Sequence, residues 1–120
     1  MDENKALVVF QDKKIRRTWH NEEWFFSVID VVAALTDSTV PKRYWSDLKI
    51  KLEQESGQPY DFIVQLKLPA EDGKLRETDC VTTKEAFRVI QSIPSPKAEP
   101  FKQWLAQVGY ERVQEIQDPE

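Results

Sequence analysis

The chain is predicted to be a single α+β domain. Its small antiparallel sheet, an amino-terminal three-strand meander plus a β-hairpin, is packed with about four helices. Three observations predict it. Short apolar stretches separated by tight polar turns fill the region from Ala6 to Phe26. Asp72-Gly73, a strong hairpin signal, lies between two strand-like stretches. Apolar residues recur at helical spacing in several further stretches, most of them opened by a capping residue or a proline.

The meander is read as Ala6 to Phe10, then Ile15 to Trp19, then Trp24 to Phe26, joined through Gln11-Asp12-Lys13-Lys14 and His20-Asn21-Glu22-Glu23. The period of two puts Ile15, Arg17 and Trp19 on one face and Arg16 and Thr18 on the other. Which face is buried stays open, because the first carries two apolar residues and an arginine. Ser27 with Asp30 has the spacing of a capping box, and Val28, Val31, Val32 and Leu35 form one helical stripe behind it.

A second helix is expected from Val40 to about Gln54, with Pro41 in its first turn and Trp45, Leu48 and Leu52 as its apolar stripe. Ser56-Gly57-Gln58-Pro59 breaks it. The hairpin pairs Asp61 to Leu68 with Leu75 to Val81. Thr82 and Glu85 form a second capping box, opening a helix from Thr83 to about Ile93 that ends at Pro94-Ser95-Pro96. The last stripe is Phe101, Trp104, Leu105 and Val108, with a start between Pro96 and Pro100 and Gly109 as the C′ residue. Met1 to Lys5 reads as a frayed end, and Tyr110 to Ile116 as a further short helix.

The stretch from the second strand into the first helix resembles the signature of the Bro amino-terminal (Bro-N) family, found at the start of many phage antirepressors. The matching residues are Ile15 to Trp19, the turn His20 to Glu23, Trp24-Phe25, Asp30-Val31 and Leu35. Many members continue with Gly-Tyr where this chain has Thr36-Asp37. The resemblance runs from about Leu7 to Ile116 and brings no catalytic motif. It implies a small α+β DNA-binding domain of a phage or prophage antirepressor-like transcription regulator. It also implies a domain at 1–116, with 117–120 beginning a linker to a carboxyl-terminal domain.

The 120 residues hold 17 Lys and Arg against 21 Asp and Glu, a net charge of −4. That balance argues against a strongly basic nucleic-acid binder, although local distribution matters more than the total. The single cysteine, Cys80, excludes an intrachain disulfide and reads as a small buried residue. The one histidine, His20, has no second His at metal-ligand spacing, so no metal or other cofactor is expected. No apolar run approaches a membrane span and no signal peptide is visible, which makes the cytoplasm the expected compartment. Nucleophile-elbow, phosphate-loop and zinc-protease patterns are absent, so no enzymatic activity is expected.

Two basic clusters remain as candidate sites. Lys13 and Lys14 in the first turn and Arg16 and Arg17 on the second strand give four cations in five residues, and Lys42, Arg43, Lys49 and Lys51 decorate the second helix. On the DNA reading, double-stranded DNA is held by Arg16, Arg17, Lys42, Arg43, Lys49 and Lys51, with Arg43 reading base edges and the lysines holding phosphates. Lys67, Lys74 and Arg76 could add a wing. The competing assignments are solvated lysines and ion pairs of Arg16 or Arg17 with Glu22, Glu23 or Asp79. An alternative function is a module that binds and sequesters a repressor protein, for which an exposed apolar patch near Tyr44, Tyr60 or Tyr110 is expected. Homodimerisation is compatible with either.

Overall fold

The computed structural model describes residues 7–56 and 63–109. The expectations for Met1 to Lys5, for the break at Gly57-Gln58-Pro59, for Tyr60, and for everything from Tyr110 onward lie outside these residues. Strands β1 (Leu7–Phe10), β2 (Lys13–His20) and β3 (Glu23–Ser27) are followed by helices α1 (Val28–Thr36) and α2 (Pro41–Ser56). The hairpin β4 (Val64–Pro69) and β5 (Leu75–Thr82) leads into α3 (Thr83–Gln91) and α4 (Ala98–Val108). The strands form one antiparallel sheet in the order β1-β2-β3-β5-β4. The predicted meander and hairpin are both present and are joined through β3 and β5, where Phe26 faces Val81 and Ser27 faces Cys80.

Local chemistry explains the boundaries. The β2–β3 turn has Asn21 and Glu22 at φ 52° and 65°, the left-handed pair that a two-residue hairpin turn requires. Asn tolerates that region, whereas a glutamate there is strained. Ser27 caps α1 by accepting from the Asp30 backbone N–H at 3.3 Å. Asp37 ends α1 in the left-handed conformation, φ 56°, and its N–H donates to Ala33 O at 3.0 Å. An aspartate thus does here what glycine does in most such caps. Its carboxylate binds Lys97 at 2.8 Å, tying the end of α1 to the start of α4.

The register settles which face of β2 is buried. Ile15, Phe26 and Val81 lie on the side covered by the helices, in one core with Val31, Val32, Leu35, Trp45, Leu48, Leu52, Ala86, Ile90, Phe101 and Leu105. Phe10, Phe101 and Trp104 close it beneath β1, with ring centroids 4.7 to 5.5 Å apart. A second, smaller cluster of Phe25, Leu68 and Cys80, flanked by Val64 and Leu66, occupies the other face. It is enclosed because the sheet coils: Arg16 on β2 reaches the Pro69 carbonyl on β4 at 2.9 Å, although two strands lie between them. Across a flat sheet those strands would stand about 14 Å apart.

Gly109 follows α4, but at φ −76° it is right-handed and not the left-handed C′ residue expected. The reason for glycine is space. A Cβ there would lie 2.5 Å from Thr83 Cγ2 and 2.7 Å from the Leu105 carbonyl. Thr83 Oγ1 donates to the Gly109 carbonyl at 2.9 Å, so the end of α4 docks directly on the start of α3.

Two substitutions test these local arguments by urea denaturation. Glu22→Gly is expected to stabilise the chain by up to about 1 kcal/mol, because it relieves a left-handed side-chain residue at some cost in chain entropy. Gly109→Ala is expected to destabilise it by about 1–3 kcal/mol, since neither Thr83 nor the helix backbone can move aside cheaply.

Candidate nucleic-acid interface

The six cations assigned to DNA contact do not share one face. Arg16 and Arg17, adjacent on β2, point to opposite sides of the sheet, and each is committed to a structural task.

Arg16 clamps the first turn of α1. Its Nε donates to Asp30 Oδ2 at 2.8 Å, a terminal nitrogen to Oδ1 at 3.0 Å, and its backbone N–H to Oδ2 at 2.9 Å. Two of the remaining guanidinium hydrogens reach Ser27 Oγ and the Pro69 carbonyl. The backbone bond has a simple origin. The β2–β3 ladder runs from His20↔Glu23 only to Arg17↔Phe26, so the Arg16 N–H has no strand partner there. Asp30 was expected to close a capping box, but its carboxylate is occupied by Arg16 instead. Hydrogen bonding to Asp30, acting against burial, raises the Arg16 pKa.

Arg17 is 1% exposed, so it cannot meet a phosphate on this surface. Its guanidinium lies 3.7 Å from the centroid of the Trp24 ring and donates to the Val108 carbonyl at 2.7 Å. A cation at the last turn of α4 satisfies an orphan carbonyl and opposes the negative end of the helix. Neither arginine pairs with Glu22, Glu23 or Asp79 in the way weighed from sequence.

Asp79 binds α2 instead. It accepts from Trp45 Nε1 at 2.8 Å, Lys49 Nζ at 3.1 Å and Gln65 Nε2 at 3.2 Å. Burial pushes its carboxyl up, but the hydrogen bonds from Trp45, Gln65 and Lys49 outweigh that and hold it below the usual range. Lys49 is therefore drawn against the hairpin. Lys42, Arg43 and Lys51 remain exposed on α2 and form no ion pair among the described residues.

Helical spacing arranges what is left. Opposite the buried Trp45, Leu48 and Leu52, the outward face of α2 carries Arg43, Asp47, Ile50 and Gln54. Lys42 lies on the Lys49 flank and Lys51 on the other, beside the half-buried Tyr44. Val40 and Ile50 are 57% and 53% exposed. On the hairpin, Lys67 and Lys74 are exposed and Arg76 is paired with Asp72. Cys80 is fully buried, and burial pushes its thiol up to about 12, so it is an inert core residue. Among the described residues no acidic, His or Cys group is placed to hold a metal ion, and no helix is long and apolar enough to cross a membrane.

The fold is a small α+β module in which several charged groups join one element to another. The model of the BRO family, N-terminal domain, matches residues 14–111, and the chain belongs to that family. It is a family of regulatory domains and not of known enzymes. No curated protein and no solved structure matches the chain.

Sequence reasoning missed both arginine clamps. A usable signal was present for Arg17, an arginine between Ile15 and Trp19 on the face of a strand that also supplies core. For Arg16 none was, because its partner Asp30 had a sufficient local role as a capping residue.

Two variants test this geometry. Asp30→Ala leaves a half-buried guanidinium and a strand N–H without their acceptor, and is expected to cost about 2–4 kcal/mol in denaturant unfolding. For Asp79 the folded pKa is depressed, so its contribution is fully present above the unfolded value of about 4 and fades as pH falls through the lower folded value. Asp79→Asn is therefore expected to be less stable than the parent at neutral pH by about 1–3 kcal/mol. That gap should narrow in unfolding curves taken at successively lower pH below about 4.

Proposed function

We propose that the chain is the DNA-binding module of a phage or prophage antirepressor-like transcription regulator, and that it meets duplex DNA through α2. The observation that carries this reading is the charge arrangement of α2. Its first turn holds Lys42 and Arg43 and no acidic residue, and its last turn holds no basic one. The other three helices each place an acid in the first turn: Asp30, Glu85 and Glu99. Cations at the positive end of a helix oppose its dipole, at a cost of about 0.3–1 kcal/mol each. Their placement on α2 therefore does not serve helix stability, whereas a phosphate near Lys42 and Arg43 would turn the same arrangement into an attraction. Family membership supports the same reading.

The interface is smaller than the sequence suggested. Arg16, Arg17 and Lys49 stabilise the fold, leaving Lys42, Arg43 and Lys51 for phosphates or base edges, with Lys67 and Lys74 on the hairpin as flanking contacts. A second reading, capture of a repressor protein, is favoured by one feature: Ile50 lies exposed in the middle of the same outward face, with Val40 exposed just before the helix.

Binding to a labelled mixed-sequence duplex across a salt series tests the first reading. Three phosphate contacts give a slope of log K against log salt of about −2.7. The Lys42→Glu/Arg43→Glu/Lys51→Glu variant is expected to abolish binding and remain folded, since all three side chains are exposed. Absence of binding by the parent at low salt would count against DNA as the partner. Loss of repressor capture in Ile50→Asp, with DNA binding unchanged or absent, would favour the second reading.

A further inference from the structure

The two edges of the sheet are built differently. The β4 edge carries Gln65, Lys67 and Pro69, and a lysine and a proline are common devices against strand addition. The β1 edge is Leu7-Val8-Val9-Phe10, with no charge and no proline, and Leu7 and Val9 are 40% and 50% exposed. Among the described residues no strand lies beyond it.

The ladder fixes what that edge offers. Leu7 faces Arg16 and Val9 faces Lys14 across the β1–β2 pair. The Arg16 N–H points away from β1, to Asp30 at 2.9 Å. In an antiparallel ladder both members of such a pair turn their N–H and C=O groups away from each other. The backbone groups of Leu7, and by alternation those of Val9, therefore face the open edge.

We infer that β1 is a self-association edge, on which a second copy of this chain adds its own β1 antiparallel about a two-fold axis through Val8. In that register Leu7 opposes the second copy's Val9 and Val9 opposes the second copy's Leu7. Each of the two pairs exchanges both backbone hydrogen bonds. The two-fold axis preserves the faces of the sheet, so the exposed Leu7 and Val9 side chains of both copies become cross-strand neighbours and cover one another. The pairing is closed, because each copy uses the same edge. Addition of β1 to β4 would set it against Lys67 and the missing N–H of Pro69, and would propagate without closing. A four-residue strand covers less surface than a standard interface, so the association is weak, with a dissociation constant in the micromolar range.

Sedimentation velocity on the whole chain without DNA, from about 1 μM to about 500 μM, tests this and is independent of the DNA reading. The parent is expected to pass reversibly from monomer to dimer. Val9→Lys and Leu7→Glu, both at exposed positions, are each expected to weaken association at least tenfold while remaining folded, with thermal unfolding unchanged in Leu7→Glu and slightly earlier in Val9→Lys, whose ammonium faces Lys14. An equimolar mixture of the two should recover it, since the introduced ammonium and carboxylate face each other across the pair. Leu75→Lys, at a more exposed apolar position elsewhere, should associate like the parent. A parent that stays monomeric, growth beyond dimers, an unaffected Val9→Lys, no recovery in the mixture, or loss of association in Leu75→Lys would each overturn the inference.

Discussion

The structure depends on the pairing of Arg16 with Asp30. β3 is short, and its ladder with β2 stops at Arg17↔Phe26, just before the chain turns into α1. Something must satisfy the next backbone N–H on β2 and hold the first turn of α1 at that point. Asp30 does both, accepting the Arg16 N–H and two guanidinium donors. The same guanidinium reaches Pro69, which draws the end of β4 back toward β2. The coil of the sheet, the enclosure of Phe25, Leu68 and Cys80, and the entry angle of α1 all pass through this one carboxylate.

Several charged groups serve assembly. Arg16 holds the start of α1, Arg17 the end of α4, Asp37 joins α1 to α4, and Asp79 joins α2 to the hairpin. Pairs at the rim of a core contribute more than exposed pairs, because water screens them less and removal of one partner strands the other. A chain with a net charge of −4 can therefore carry arginines in its core strands without being a basic protein. Among the described residues its exposed cations lie on α2, on the hairpin, at Lys14 of β2 and at Lys84 and Arg88 of α3.

α2 is attached differently from the other helices. Trp45, Leu48 and Leu52 join the core, but its polar anchor is the trio of Trp45, Lys49 and Gln65 around Asp79. That anchor sits on one flank and leaves the outward face from Arg43 to Gln54 uncovered by described residues. A helix held on its inner face and one flank presents the other side rigidly, which suits it to recognition whichever macromolecule is recognised.

The local elements follow from short-range patterns in the chain. Strand alternation, the Ser27 and Thr82 caps, the Asp72-Gly73 turn and the apolar stripes of the first, second and last helices depend on neighbours within a few residues, so periodicity and capping chemistry suffice to place them. The Bro-N resemblance was legible for the same reason, since its signature residues run through one strand–turn–strand–helix stretch. What each charged residue does was decided only by the tertiary structure. Arg16 and Asp30 stand 14 residues apart, Arg17 and Val108 stand 91 apart, and Lys49 and Asp79 stand 30 apart. No local pattern encodes such a meeting, because an ion pair stabilises only after the sheet and helices have brought its partners within reach. Gly109 shows the same limit: its place after a helix was readable, while its reason, contact with Thr83, came from a packing that only the folded chain creates.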